Sequence, residues 1–273
     1  MADRSSRPIL AAESVTALGK EVRGAVLVAG SHGGIIACYL GASAGAHALI
    51  LNDAGCGRDN AGVAGLEWLE AIGMAAATVS HDSARIGDGL DALARGVISH
   101  ANRPARAVGV APDMRASEAA ERLRLAATPF AKPTPYAEGR WHVADAGGAQ
   151  VWALDSVGKL VREDAGRILI IGSHGALHGG RPETALNLHD APVAARAAVF
   201  HDAGGGCERA GITRLAELDR RGIAAATVAH SSARIGDGRS MWQDGVLSHV
   251  GEVAMACGWR ARMRLRDLIL TAL

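Results

Sequence analysis

Aromatic residues make up only 3% of this 273-residue chain, although 49% of it is hydrophobic. Alanine, glycine, valine, leucine and isoleucine must therefore do most of the packing, which suits helices laid closely on a parallel sheet. Lysine is scarce: Lys20, Lys132 and Lys159 are the only copies, and none lies in a repeated loop, which excludes a duplicated Schiff-base lysine. Four cysteines (Cys38, Cys56, Cys207 and Cys257) without CxxC spacing argue against a disulfide framework or a structural zinc knot. No apolar run reaches the length of a membrane span, and MADRSSRPIL lacks the apolar core of a signal peptide. A cytoplasmic protein with no membrane partner is the expectation. The formal net charge of +1 supplies no field for nucleic acid.

What the chain does contain is a repeat. AAATVSHDSARIGDG (75–89) returns as AAATVAHSSARIGDG (224–238), with thirteen of fifteen residues identical. GAVLVAGSHGG (24–34) answers GRILIIGSHGA (166–176), LILNDAGCGRDNAG (49–62) answers AVFHDAGGGCERAG (198–211), and GVISH (96–100) answers GVLSH (245–249). The offset grows from 142 to 149 between the first two pairs, so the second copy gains about seven residues, within GGRPETALNLHDAP, and adds His178 immediately before this string and His189 inside it. The expected organisation is a first repeat over 9–126, a linker with a short hairpin over 127–150, and a second repeat over 151–273. Apolar runs of strand length alternate with helical spacing: AVLVAG, ALILND and AAATVS read as strands, GGIIACYLGASA and NAGVAGLEWLEAIG as helices. LDALARGVISHA reads as a further helix, RAVGVA as a fourth strand and SEAAERLRLAA as a closing helix. This alternation predicts an internally duplicated α/β fold, two Rossmann-like or flavodoxin-like parallel-sheet halves related by a pseudo-twofold.

In such sheets ligands bind beyond the carboxyl ends of the strands, at a switch in strand order. The chemically able residues collect there. The first half offers Ser31, His32, Asn52, Asp53, His81, Ser83 and Arg85. The second offers Ser173, His174, His201, Asp202, His230, Ser232 and Arg234. The glycines Gly33 and Gly175 open the turns, where backbone amides could hold an oxyanion or substrate. A structural reading competes with this one, since aspartate and histidine at such turns also cap helices.

Two chemistries fit. His32, Asp53 and His81, and in the second half His174, Asp202 and His230, are 2-His-1-carboxylate sets suited to zinc, manganese or iron, although no HExxH or HxH spacing supports them. Alternatively the histidines act as acid and base, with Ser31, Ser173, Ser83 or Ser232 as nucleophile. Cys56 and Cys207 also sit in glycine-rich turns, but Cys56 aligns with Gly205 and Cys207 with Arg58, so at most one of them is catalytic. Arg85 and Arg234 offer forks for a substrate carboxylate, phosphate or imide edge, or else pair internally with Asp88 and Asp237. Asn52 and His201 would help to bind substrate.

GSHGG is similar to the GSxG motif of universal stress proteins, but GASAG follows it in the first copy only and the order of elements differs. The paired α/β units also resemble those of ring-opening cyclic amide hydrolases, whose serine–lysine pairing is missing here. The expected function is hydrolysis of a C–N or C–O bond in a carboxylate-bearing or cyclic amide small molecule. A metal-dependent lyase or isomerase and a non-catalytic binding protein are the alternatives. The exposed faces of the duplicated helices would suit a homo-oligomer.

Overall fold

The computed structural model describes residues 7–188 and 191–272, so His189 of the inserted segment lies outside the described residues. The chain divides into two compact units, one of residues 1–56, 60–137 and 206–208, the other of 57–59, 138–205 and 209–273. No described helix is long and apolar enough to cross a membrane.

The first unit runs β1 (Ile9–Ala12), β2 (Val26–His32), α1 (Ile35–Ser43), β3 (Ala48–Asn52), α2 (Ala64–Glu70), β4 (Ala75–Val79), α3 (Gly89–Arg95), β5 (Ile98–Ala101), α4 (Arg103–Ala107) and α5 (Ala116–Leu123). Its sheet has the order β1-β2-β3-β4-β5, with the first four strands parallel and β5 antiparallel to β4. Strands β2, β3 and β4 are buried along their whole length. Successive side chains point to opposite faces. Leu27, Leu49, Leu51 and Ala76 therefore meet Cys38, Leu66 and Leu69 of α1 and α2 on one side. Val28, Ile50 and Ala77 meet Ala92, Ala119 and Leu123 of α3 and α5 on the other.

This is an α/β sheet with parallel strands, but its order is sequential. Rossmann and flavodoxin-like sheets reverse direction part-way, and that reversal creates their binding crevice. Here the parallel strands never reverse, so the expected switch point does not form. Two local expectations also change. GVISH forms β5 rather than the end of a helix, because Gly96 leaves the helix with extended backbone and β5 pairs antiparallel with β4. RAVGVA belongs largely to α4 and the turn after it: Asn102 caps the first turn by accepting from Ala105 N, and Pro104 stands at its start.

The second unit runs β6 (Arg140–Ala146), β7 (Ala149–Leu154), β8 (Ile168–His174), β9 (Asn187–Leu188), β10 (Ala191–Pro192), β11 (Ala197–His201), α6 (Arg214–Arg220), β12 (Ala224–Val228), α7 (Gly238–Asp244), β13 (Leu247–Val250), α8 (Glu252–Ala256) and α9 (Leu265–Ala272). The main sheet has the order β13-β12-β11-β8-β7-β6, parallel from β12 to β7 with antiparallel strands at both edges. The hairpin in the proline- and glycine-rich stretch is β6–β7, and it is built into this sheet.

Among the described residues between β8 and β11 there is no counterpart of α1; turns and the short antiparallel pair β9–β10 take its place. One substitution accommodates the change. In the first unit Gly65 sits where an added Cβ would lie 2.4 Å from Cys38 Sγ of α1. Its counterpart at the 149-residue offset is Arg214, fully buried, whose guanidinium donates to Ala176 O, Thr184 O and Ala185 O and lies over the Phe200 ring. Those carbonyls belong to the irregular segment, and the arginine supplies the donors that a helix would have supplied itself. Burial pushes its guanidinium down to about 9. Arg214→Met should cost about 3 kcal/mol or more in chemical denaturation, because three buried carbonyls lose their donor. Arg214→Lys should not restore it, since an ammonium lacks the planar fork.

Candidate functional site

The chain leaves β3 through an uncommon turn. Ala54, Gly55, Cys56 and Gly57 all have left-handed backbone, with φ of 50, 72, 57 and 68°. A non-glycine residue there costs about 1–2 kcal/mol. Hydrogen bonds hold the turn: Ala54 N donates to Asn52 Oδ1 (2.9 Å), Gly55 N to Asp53 Oδ1 (3.0 Å) and Cys56 N to Asp53 O (2.8 Å). After β11, Ala203, Gly204, Gly205 and Gly206 repeat the conformation, with φ of 51, 78, 73 and 65°.

The turn presents Asp53 to the loop after β4. His81 donates its backbone N–H to Asp53 Oδ1 at 2.9 Å, and its Nδ1 lies 2.9 Å from the same oxygen. Burial opposes ionisation of Asp53, but the His81 ring and the Gly55 and His81 amides outweigh it and hold the carboxyl below its usual range. In the second unit His230 N donates to Asp202 Oδ1 at 2.8 Å, while His230 Nδ1 approaches that oxygen at 3.3 Å without good hydrogen-bond geometry. Burial again opposes ionisation of Asp202. His230, Gly204 and Ser248, joined by His201 once low pH protonates it, prevail and bring it to about 2.

The first site has a third and a fourth member. Cys56 Sγ lies 4.0 Å from His100 Nε2, and His100 Nδ1 lies 3.1 Å from Ser99 Oγ. Burial, with the charge of Asp53, pushes the Cys56 thiol up. Among the described residues, Asp53, Cys56 and His100 form the one group of three ligand-type side chains whose ligand atoms lie within 4.8 Å of one another. His32, Asp53 and His81 are not gathered in this way, nor are His174, Asp202 and His230. The reason is local: His32 Nδ1 turns back to accept from Gly34 N (3.1 Å), and His174 Nδ1 does so from Ala176 N (3.3 Å).

Most of the other residues singled out in the sequence serve the backbone. Ser31 Oγ accepts from Val15 N and Ser173 Oγ from Val157 N. Ser83 bridges Ser80 O and Val97 N, and Ser232 bridges Ala229 O and Val246 N. Asn52 joins Ala54 N to Ala84 O, and His201 joins Ala203 N to Ala233 O in the same manner. Gly33 and Gly175 fit under Thr78 and Thr227, where a Cβ would stand 2.6 and 3.0 Å from the methyls. Arg85 pairs with Asp88, Asp91 and Glu208, and Arg234 with Asp237 and Asp59, so carboxylates occupy both forks. Cys207, partly buried, donates its N–H to His81 O.

His100 was missed in the sequence. It closes the repeated pentapeptide GVISH, a visible signal, but reading that segment as helix pointed it elsewhere. No family model matches this chain, and no curated protein and no solved structure shows significant similarity to it.

Burial holds His201 neutral, with its value brought down to about 4. An unfolded histidine titrates near 6.5, so between roughly pH 6.5 and 4 the unfolded chain binds the extra proton and stability falls as pH falls. This share amounts to up to about 3 kcal/mol. His201→Asn, the residue at the matching position of the first unit, should remove it from a stability–pH curve while keeping the fold. The half-buried His178, brought down to about 3 by desolvation and the charges of Arg214 and Arg181, will leave a residual slope in the same direction.

Proposed function

We propose that the two units are copies of one ancestral α/β module and that the chain hydrolyses a small cyclic amide or imide, with Asp53 and His81 as its acid–base pair. The observation that carries this reading is the bond from His81 Nδ1 to a buried, ionised Asp53. A carboxylate on one ring nitrogen fixes the tautomer and strengthens the other nitrogen as a base. His81 Nε2 then takes a proton from water as the oxygen attacks the acyl carbon, and returns it to the ring nitrogen as the C–N bond opens. Water is the nucleophile because all four serines are engaged by the backbone and the Cys56 thiol is disfavoured as thiolate. A neutral cyclic substrate is favoured over a free carboxylate because both arginine forks are already paired.

The test is a panel of lactams, cyclic imides and lactones, with ring opening followed by chromatography. His81→Gln should lower kcat about 10²–10⁴-fold while leaving binding measurable. Calorimetric binding of a panel member with no turnover would instead make the chain a binding protein. Full activity in His81→Gln would remove the pair from the mechanism.

A further inference from the structure

We propose that Asp53, Cys56 and His100 of the first unit form a three-ligand site for a zinc-class divalent ion, and that glycine at position 205 denies the second unit the same site. The three residues come from two places that the sheet brings together, the left-handed turn after β3 and the end of β5. Asp53 and His100 are oriented for ligation, and a bound cation would supply the charge that the Cys56 thiolate lacks. Asp53 Oδ1 already carries three donors, so the cation falls to the second oxygen. Ser99 Oγ lies 3.3 Å from Thr78 O and 3.1 Å from His100 Nδ1; with its proton on Thr78 O it accepts from Nδ1, and in that tautomer the Nε2 lone pair faces Cys56. Hydrogen-bonded groups behind the ligands are the usual support of a metal site, and here they are the His81 ring and two amides on Asp53 and the Ser99 hydroxyl on His100.

The spacing agrees with this assignment. Tetrahedral zinc with S and N ligands separates them by about 3.5 Å, so the 4.0 Å between Cys56 Sγ and His100 Nε2 needs only a small contraction. Thiolate with imidazole selects zinc, cobalt or iron over magnesium and calcium. Three protein ligands leave a fourth position for water, the arrangement of a catalytic rather than a structural centre. A role for that water in ring opening rests on the function proposed above; the binding site itself does not.

The second unit supplies an internal control. Asp202 and His249 stand at the matching offsets, and the Asp202 charge acts on His249. Cys56 is replaced by Gly205, which has the same left-handed backbone (φ 73°) and nothing within 4 Å of an added Cβ.

The experiment is zinc titration of the full, tag-free chain, read by competition with a chromophoric chelator and by the thiolate-to-metal absorption of the cobalt form. The wild type should bind one equivalent. Cys56→Gly, which copies the second unit and should fold, and His100→Asn should each weaken binding at least 10–100-fold and abolish the absorption band. Gly205→Cys should add a second equivalent. Stoichiometric binding that survives Cys56→Gly, or no binding by the wild type, would overturn the site; a Gly205→Cys chain still limited to one equivalent would overturn the role given to that glycine. Zinc bound without turnover of the panel would retire the hydrolase reading and leave the site standing. Turnover by a wild type that binds no zinc would do the reverse.

Discussion

A carboxylate can stay ionised in the interior only if donors replace the water it has lost. Asp53 meets that demand with two backbone amides and one imidazole, all directed at a single oxygen. One of those donors is available because the chain leaves β3 in left-handed backbone, which turns the Gly55 amide back on the carboxylate. The strain of Ala54 and Cys56 is thus linked to the charge of Asp53. The loop after β4 is then positioned by the same oxygen, since His81 is attached to it through both ring and backbone. Asp202, with Gly204 and His230, meets the demand in the second unit in nearly the same way.

Against that shared frame, the differences between the units are chemically directed. Asn52 and His201 bridge the same pair of backbone positions with different side chains, so this exchange alters pH behaviour and leaves the turn intact. Gly65 and Arg214 differ because one unit lays a helix on the sheet and the other an irregular segment with carbonyls to satisfy. Cys56 and Gly205 differ in a third way: the backbone is the same, and only the first has a metal-ligating atom. Geometry common to both units marks what folding requires, and these three positions mark where the units part.

The Arg85 and Arg234 loops show how a conserved-looking string within one chain can be structural. Each arginine is held by the aspartate three residues on, and that aspartate also caps the next helix through Asp91 N or Ser240 N. The SARIGDG string is therefore kept by a helix start, an ion pair and a serine clamp acting together, with no ligand needed to explain it.

By itself the sequence determined the alternation of strands and helices, the two matching strings, and the concentration of aspartate and histidine at strand ends. These are legible because side-chain periodicity and turn chemistry act over a few residues. Only the tertiary structure decided that the parallel strands follow one another without reversal, that GVISH is an antiparallel strand, and that the serines bond to backbone. It also brought His100 to Cys56, 44 residues away in sequence. Strand neighbours and ligand sets are chosen by packing between distant segments, and no local pattern records which distant segment will arrive.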